Sequence, residues 1–216
     1  MIAELLKELL FPRKCVFCGG ILNRNESGIC RNCRTELPEY GTERVLPKVD
    51  GCCVLWYYQD AVRESLHRFK FYNRPEYADV YGPVLAMKIQ QRFPDAQMLT
   101  WVPVSRERLK ERGYDQSELL AKAAAKELGI PAVRLLEKYR NNPAQSGIGD
   151  ARLRADNVLD AYRVCGDPQE KRIVLIDDIL TTGATAGECA RMLHDAGAKK
   201  VYLAVVASGR GERERS

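Results

Sequence analysis

Apolar positions along this 216-residue chain recur in two rhythms, short runs rich in branched residues and longer stretches with helical spacing. Their alternation predicts an α/β fold with a parallel sheet flanked by helices. Runs at 51–58, 98–104, 132–137, 171–176 and 199–207 read as strands. Residues 60–71, 75–92, 116–128 and 186–196 read as helices, with Pro75 suited to a first turn and Gly129 to a stop. At the front, Ile2, Leu5, Leu6, Leu9 and Leu10 share one face of a short amphipathic helix that ends before Pro12. No internal repeat is visible. The turn-rich stretch 37–50 predicts a boundary, so the chain divides into a small module at 1–40, a main domain at 50–207 and a tail at 208–216. That tail is charged, has no core-forming residues and is expected to be disordered.

Where the fourth apolar run ends, chemistry begins. Ile173, Val174, Leu175 and Ile176 stop at the adjacent carboxylates Asp177 and Asp178, and Thr181, Thr182, Gly183, Ala184 and Thr185 follow ahead of a helix. Ligands of open α/β sheets bind at the carboxyl ends of strands. A glycine-containing turn that opens a helix presents free N–H groups and a positive dipole end, which suits phosphate. The two acids can hold vicinal sugar hydroxyls or an Mg²⁺ bound to them, so the segment reads as a ribose-5-phosphate cradle. An ordinary strand–turn–helix, with Asp178 as cap and Gly183 as turn, accounts for one acid and one glycine only. The Gly-Lys-Ser/Thr ending of a Walker loop is absent.

Two further segments complete such a site. After the 98–104 strand come Ser105, Arg106, Arg108, Lys110 and Arg112, a cationic loop placed to hold pyrophosphate through forked hydrogen bonds. Glu107 and Glu111 alternate with these cations, so a helix start with solvated i,i+4 pairs is the competing reading; Arg106 and Arg108 are the favoured contacts. Residues 138–157, with Asn141, Asn142 and Pro143 and possible hinges at Gly147 and Gly149, form a long connection suited to a mobile lid.

The cysteines separate into two groups. Cys15 and Cys18, then Cys30 and Cys33, form two Cys-x2-Cys pairs, the pattern of a structural zinc ribbon whose four thiolates leave no open coordination position. Two disulfides are the alternative, but they belong to oxidising compartments, and Glu4 and Glu8 stand where an export signal carries basic residues. Cys52, Cys53, Cys165 and Cys189 read as small packing residues.

Charge adds little. The net value is +5, with Arg13, Lys14, Arg24, Arg31 and Arg34 clustered around the cysteine pairs. A basic zinc module can touch nucleic acid, although the same residues also keep a small module soluble. Trp56, Tyr57 and Tyr58 can stack bases, but strand spacing favours the core. His67 and His194 sit at helical positions with no catalytic pattern around them. No apolar stretch reaches the roughly eighteen residues of a membrane span.

The motif from Val174 to Thr185 resembles the phosphoribosyl pyrophosphate (PRPP) motif of the type I phosphoribosyltransferases. By that resemblance Asp177 and Asp178 meet the ribose 2′ and 3′ hydroxyls, residues 181–185 wrap the 5′-phosphate, and residues 105–112 are the pyrophosphate loop. With the two cysteine pairs, Arg112, Gly113, Tyr114, Asp115 and Gln116, then Gln145, Arg154 and Asn157, the chain resembles the ComF proteins, double zinc ribbons joined to a phosphoribosyltransferase-like domain. The similarity spans about residues 10–207. It implies a cytoplasmic protein with structural Zn²⁺ and a PRPP/Mg²⁺ pocket, tied to natural competence and DNA uptake. The partners it implies are the competence helicase and recombination-loading proteins. Several purine-salvage members carry an acid general base where this chain has Thr181, so no base is assigned. Three readings stay open: a transferase with an unidentified acceptor, a DNA-uptake accessory that binds protein partners or single-stranded DNA, and a PRPP sensor.

Overall fold

The computed structural model describes residues 12–139 and 161–209. The expected N-terminal helix, most of the expected lid, and the tail beyond Gly209 lie outside the described residues. The strands in chain order are β1 (Gly51–Tyr57), β2 (Met98–Trp101), β3 (Leu136–Lys138), β4 (Tyr162–Val164), β5 (Arg172–Leu180) and β6 (Lys200–Ser208). The helices are α1 (Arg31–Glu36), α2 (Asp60–Phe71), α3 (Ala78–Arg92), α4 (Arg106–Arg112), α5 (Gln116–Leu128) and α6 (Ala184–Asp195), with a 3₁₀ turn at Pro75–Tyr77.

Four strands form a parallel sheet in the spatial order β1–β6–β5–β2. Its inner strands, β5 and β6, are covered on both faces, which is why Ile173, Val174, Leu175 and Ile176 form an unbroken apolar run rather than an alternating one. On one face Leu66 and Phe69 of α2, Tyr81 and Leu85 of α3, and Leu120 and Ala124 of α5 pack over Val174, Ile176 and Val206. On the other, Ala186, Cys189, Ala190 and Leu193 of α6 pack over Ile173, Leu175 and Leu203. Helices α3 and α5 approach closely because Gly82 has no side chain: a Cβ there would lie 2.3 Å from Ala123 Cβ.

The zinc-type module is not the separate appendage that its position in the chain suggests. Cys15, Val16, Phe17, Leu22, Ile29 and Cys33 belong to the same apolar cluster as α2, α3 and the sheet. Phe17 meets Trp56 edge-on at 5.2 Å and Tyr81 at 5.8 Å. Arg68 of α2 donates to the carbonyls of Val16 (2.8 Å) and Phe17 (2.7 Å), and Ser65 donates to Val16 as well.

Other departures have local causes. The strand expected at 132–137 is divided. Ala132 bridges Leu99 beside β2, and Leu136–Lys138 turns away to pair antiparallel with Tyr162–Val164. Cys165 is exposed rather than packed, while Cys52, Cys53 and Cys189 are buried. Ser208, expected to open the tail, instead ends β6 as a buried residue whose hydroxyl donates to the Leu180 carbonyl at 3.0 Å.

Candidate functional site

Strands β2 and β5 are neighbours and end at the same edge of the sheet, where Trp101 pairs with Ile176 and Val102 N–H reaches the Ile176 carbonyl at 3.0 Å. The loops that leave these ends therefore share one rim. β5 runs further than its apolar pattern indicates, through Asp177 and Asp178 to Leu180, because its pairing with β6 continues from Asp177 opposite Val205 to Leu180 opposite Ser208. The acid pair thus sits on rigid strand, not in a loop. Successive strand side chains diverge, and the two carboxylates meet different helices.

Asp177 is half-buried. Its Oδ1 accepts from Ser117 Oγ of α5 and from the Asp178 N–H, each at 2.9 Å. Burial, then the adjacent Asp178 charge, pushes the Asp177 carboxyl up from its ordinary value to about 7, against the opposing pull of Lys70 and these hydrogen bonds. Asp178 is buried, and its Oδ2 receives Lys70 Nζ of α2 at 2.8 Å. Sequence reasoning missed both Ser117 and Lys70. Neither belongs to a motif, and only the packing of α2 and α5 against the end of β5 brings them to the acids.

The turn after β5 is open to solvent at Thr181 and Thr182 and closes at buried Gly183. Gly183 has φ +84°, in the left-handed region, and caps the N-terminus of α6 without a side-chain bond. Thr182 Oγ1 accepts from Ala184 N–H at 3.4 Å, and Ala184 and Thr185 occupy the first turn of α6. Residues 181–185 therefore form the strand–turn–helix predicted, with the start of a twelve-residue helix at the rim.

The cationic segment is helical rather than a loop. Ser105 caps α4, its Oγ accepting from Arg108 N–H at 3.3 Å, so its hydroxyl serves the helix. Arg106 and Arg108 are exposed on α4. Arg112 stacks on Phe71 at 4.9 Å and donates to Gln116 at 3.0 Å, which directs it to structure rather than to the rim. Asp115 fixes the next helix by accepting from Ser117 and Glu118 N–H groups, and it also accepts from Val104 N–H.

Lys138 of β3 is half-buried and joins this cationic side. Burial and then the charge of Arg108 lower its pKa. His67, Phe71 and Tyr72 form an exposed ring cluster, with His67 4.9 Å from Phe71 and 5.6 Å from Tyr72, at the end of α2 next to Lys70. Trp56 is core, as its strand spacing indicated. His194, in the last turn of α6 and so at the far end of that helix from the rim, lies beside Asp50 at 3.1 Å.

Away from the rim, the four sulfurs of Cys15, Cys18, Cys30 and Cys33 all lie within 4.8 Å of one another, and Cys18 and Cys30 are 3.7 Å apart. Tetrahedral Zn–S bonds of about 2.3 Å require sulfurs about 3.8 Å apart, so the cluster fits a structural zinc. All four are free thiols, not disulfides. Burial acts to raise the Cys15 thiol, but backbone N–H groups led by that of Cys30 outweigh it and lower it to about 7, toward the thiolate a metal needs. Among the described residues no helix is long and apolar enough to cross a membrane.

Two segments of the chain match known protein families. Residues 6–45 match the double zinc ribbon domain, and residues 115–216 match the phosphoribosyl transferase domain. The chain is 24% identical over 222 residues to competence protein F of Haemophilus influenzae, a match covering 89% of this chain and 96% of that protein. It is 29% identical over 185 residues to competence protein ComFC of Bacillus subtilis, covering 85% and 72%. It is 28% identical over 222 residues to DNA utilization protein YhgH of Salmonella typhimurium, covering 90% and 96%.

Proposed function

The chain has the double zinc ribbon and phosphoribosyltransferase domain of the ComF proteins, and from that premise we propose that it binds PRPP with Mg²⁺ at the shared rim of β2 and β5. One observation carries the reading. A rigid strand end holds two carboxylates just before a solvent-open threonine turn and a helix N-terminus, and α4, with exposed Arg106 and Arg108, follows the neighbouring parallel strand β2. Asp177 and Asp178 meet the ribose hydroxyls. Thr181, Thr182, Gly183, Ala184 and Thr185 take the 5′-phosphate on N–H and hydroxyl donors. Arg106 and Arg108 face the pyrophosphate, and Ser105 contributes by holding their helix. Asp177 and Asp178 would help hold an Mg²⁺ bound to the sugar hydroxyls, and the ion would supply charge neutralisation to the departing pyrophosphate. The chain's own acids orient the sugar so that positive character developing on its ring is met by negative charge.

Zinc is structural, held by Cys15, Cys18, Cys30 and Cys33, and it anchors the N-terminal module on the same core as the site. The relatives' names place them in competence and in DNA utilization, so we assign this chain a cytoplasmic role in handling incoming DNA, with the competence helicase and recombination-loading proteins as partners. The domain division at 1–40 and 50–207 is proposed as one of sequence, bridged by a common core.

Titration calorimetry with PRPP and Mg²⁺ tests the pocket. Heat is expected from the native chain and none from a chain carrying Asp177→Asn and Asp178→Asn; equal heats would remove the reading. A metabolite screen for PRPP-dependent pyrophosphate release then separates a transferase from a sensor or accessory. The accessory alternative rests on Thr181, a residue that cannot act as a base at neutral pH. It predicts single-stranded DNA or protein binding with no pyrophosphate released.

A further inference from the structure

The segment joining the zinc module to the sheet does not pass the threonine turn at a distance. Arg44 Nη2 donates to the Thr181 carbonyl at 2.9 Å, a contact between residues 137 positions apart. Two residues on, buried Leu46 presses on the same turn: a Cβ placed at Gly183 would lie 2.5 Å from Leu46 Cδ2. The contact continues along α6, where a Cβ at Gly187 would lie 3.2 Å from the Pro47 carbonyl oxygen. Glycine at 183 thus answers two demands, a positive φ and the close approach of the connector.

We propose that this connector is a wall of the sugar-phosphate site, with Arg44 as an additional ligand of the 5′-phosphate. The assignment rests on the PRPP reading above and adds a residue to it from outside the phosphoribosyltransferase match at 115–216. Physically, a dianionic phosphate seated on the turn at 181–185 draws on N–H groups and threonine hydroxyls, all of them neutral donors. A guanidinium fixed to the first carbonyl of that turn supplies the missing full charge. Its planar fork can hold the Thr181 carbonyl with one arm and a phosphate oxygen with another. Arg44 and Thr181 both keep contact with solvent, so a ligand reaches them without displacing core. Leu46 seats the connector, so the guanidinium is held in place before the ligand arrives and little ordering is needed on binding.

Titrations of the full chain with three probes test this: PRPP with Mg²⁺, ribose 5-phosphate, and inorganic pyrophosphate with Mg²⁺. Arg44→Ala is expected to weaken PRPP and ribose 5-phosphate alike, by about tenfold, the loss typical of one charge-assisted hydrogen bond. Pyrophosphate binding stays as in the native chain. Arg44→Lys, which keeps the charge and loses the fork, falls between the two and shows that the connector remains folded. The assignment is overturned if Arg44→Ala binds both sugar phosphates as tightly as the native chain, or if it loses pyrophosphate to the same degree. A native chain that takes neither sugar phosphate sinks the PRPP reading and this assignment together, an outcome distinct from the absence of an Arg44 effect.

Discussion

On the proposed PRPP reading, binding and stability make opposite demands of Asp177, and protonation separates them. Its carboxyl is raised from the ordinary carboxylate range to about 7, burial being the largest cause and the adjacent Asp178 the next. At pH 8 the group is then about nine-tenths ionised, and at pH 6 about one-tenth. If the charged form holds the ribose hydroxyls, affinity for PRPP with Mg²⁺ falls by close to tenfold per pH unit below 7 and levels off above it. Stability moves the other way. The unfolded carboxyl titrates near 4 and the folded one near 7, so the folded state binds the extra proton between these values and the chain loses stability as pH rises through that window. Asp177→Asn keeps an oxygen for the Ser117 and Asp178 donors and carries no charge. It is expected to melt higher than the native chain at pH 8, by on the order of 1–3 kcal/mol of added stability, while losing ligand. Calorimetry from pH 6.5 to 8 reads the first effect and urea denaturation at pH 5 and pH 8 the second. The ligand's own phosphate titrates near pH 6, and the asparagine variant supplies that baseline. A flat affinity profile for the native chain, or an asparagine variant less stable at pH 8, would refute the reasoning.

Three further outcomes follow from contacts elsewhere. Lys70→Ala leaves buried Asp178 without its 2.8 Å partner and should lower stability by roughly 1–3 kcal/mol in urea titrations; an unchanged midpoint would show that the pair contributes nothing. Zinc chelation, or Cys30→Ser, should disturb the main domain as well as the module, because Phe17 packs on Trp56 and Arg68 holds the carbonyls of Val16 and Phe17. Trp56 emission, read in a Trp101→Phe background, that is unaltered while zinc is fully released would contradict this. Gly183→Ala imposes a side chain at φ +84° against Leu46, with an expected loss of about 1–2 kcal/mol from the backbone alone and weaker sugar-phosphate binding. Adding Leu46→Ala should relieve only the steric share, so full recovery in thermal melts would show that backbone strain is absent.

What the chain states locally, the structure repeats closely. Helices α2 and α5 occupy the residues their apolar spacing marked, 60–71 and 116–128. Such spacing depends only on which side of a helix meets any core, so it needs no knowledge of the partner. The glycine turn at 183 and the four-cysteine pattern are legible for the same reason, being set by bonds among near neighbours. The reading failed where a residue's state depends on a distant segment. Residues 105–112 are the exception, because the Ser105 cap and the turn at Gly113 are local signals and make them the helix of the competing reading. Strand β5 outlasts its apolar run because β6 lies alongside to pair with it. Lys70, Ser117 and Arg44 reach the acids and the threonine turn from three separate segments, and none of the three residues belongs to a motif. Sequence alone therefore marked most of the elements, the cysteine cluster and the candidate acids and threonine turn, since each follows from local spacing. Tertiary structure decided which carboxylate faces a lysine and which stands near neutrality, and it joined the zinc module to the core. Burial and charge pairing are properties of neighbours in space, and those neighbours lie tens of residues away along the chain.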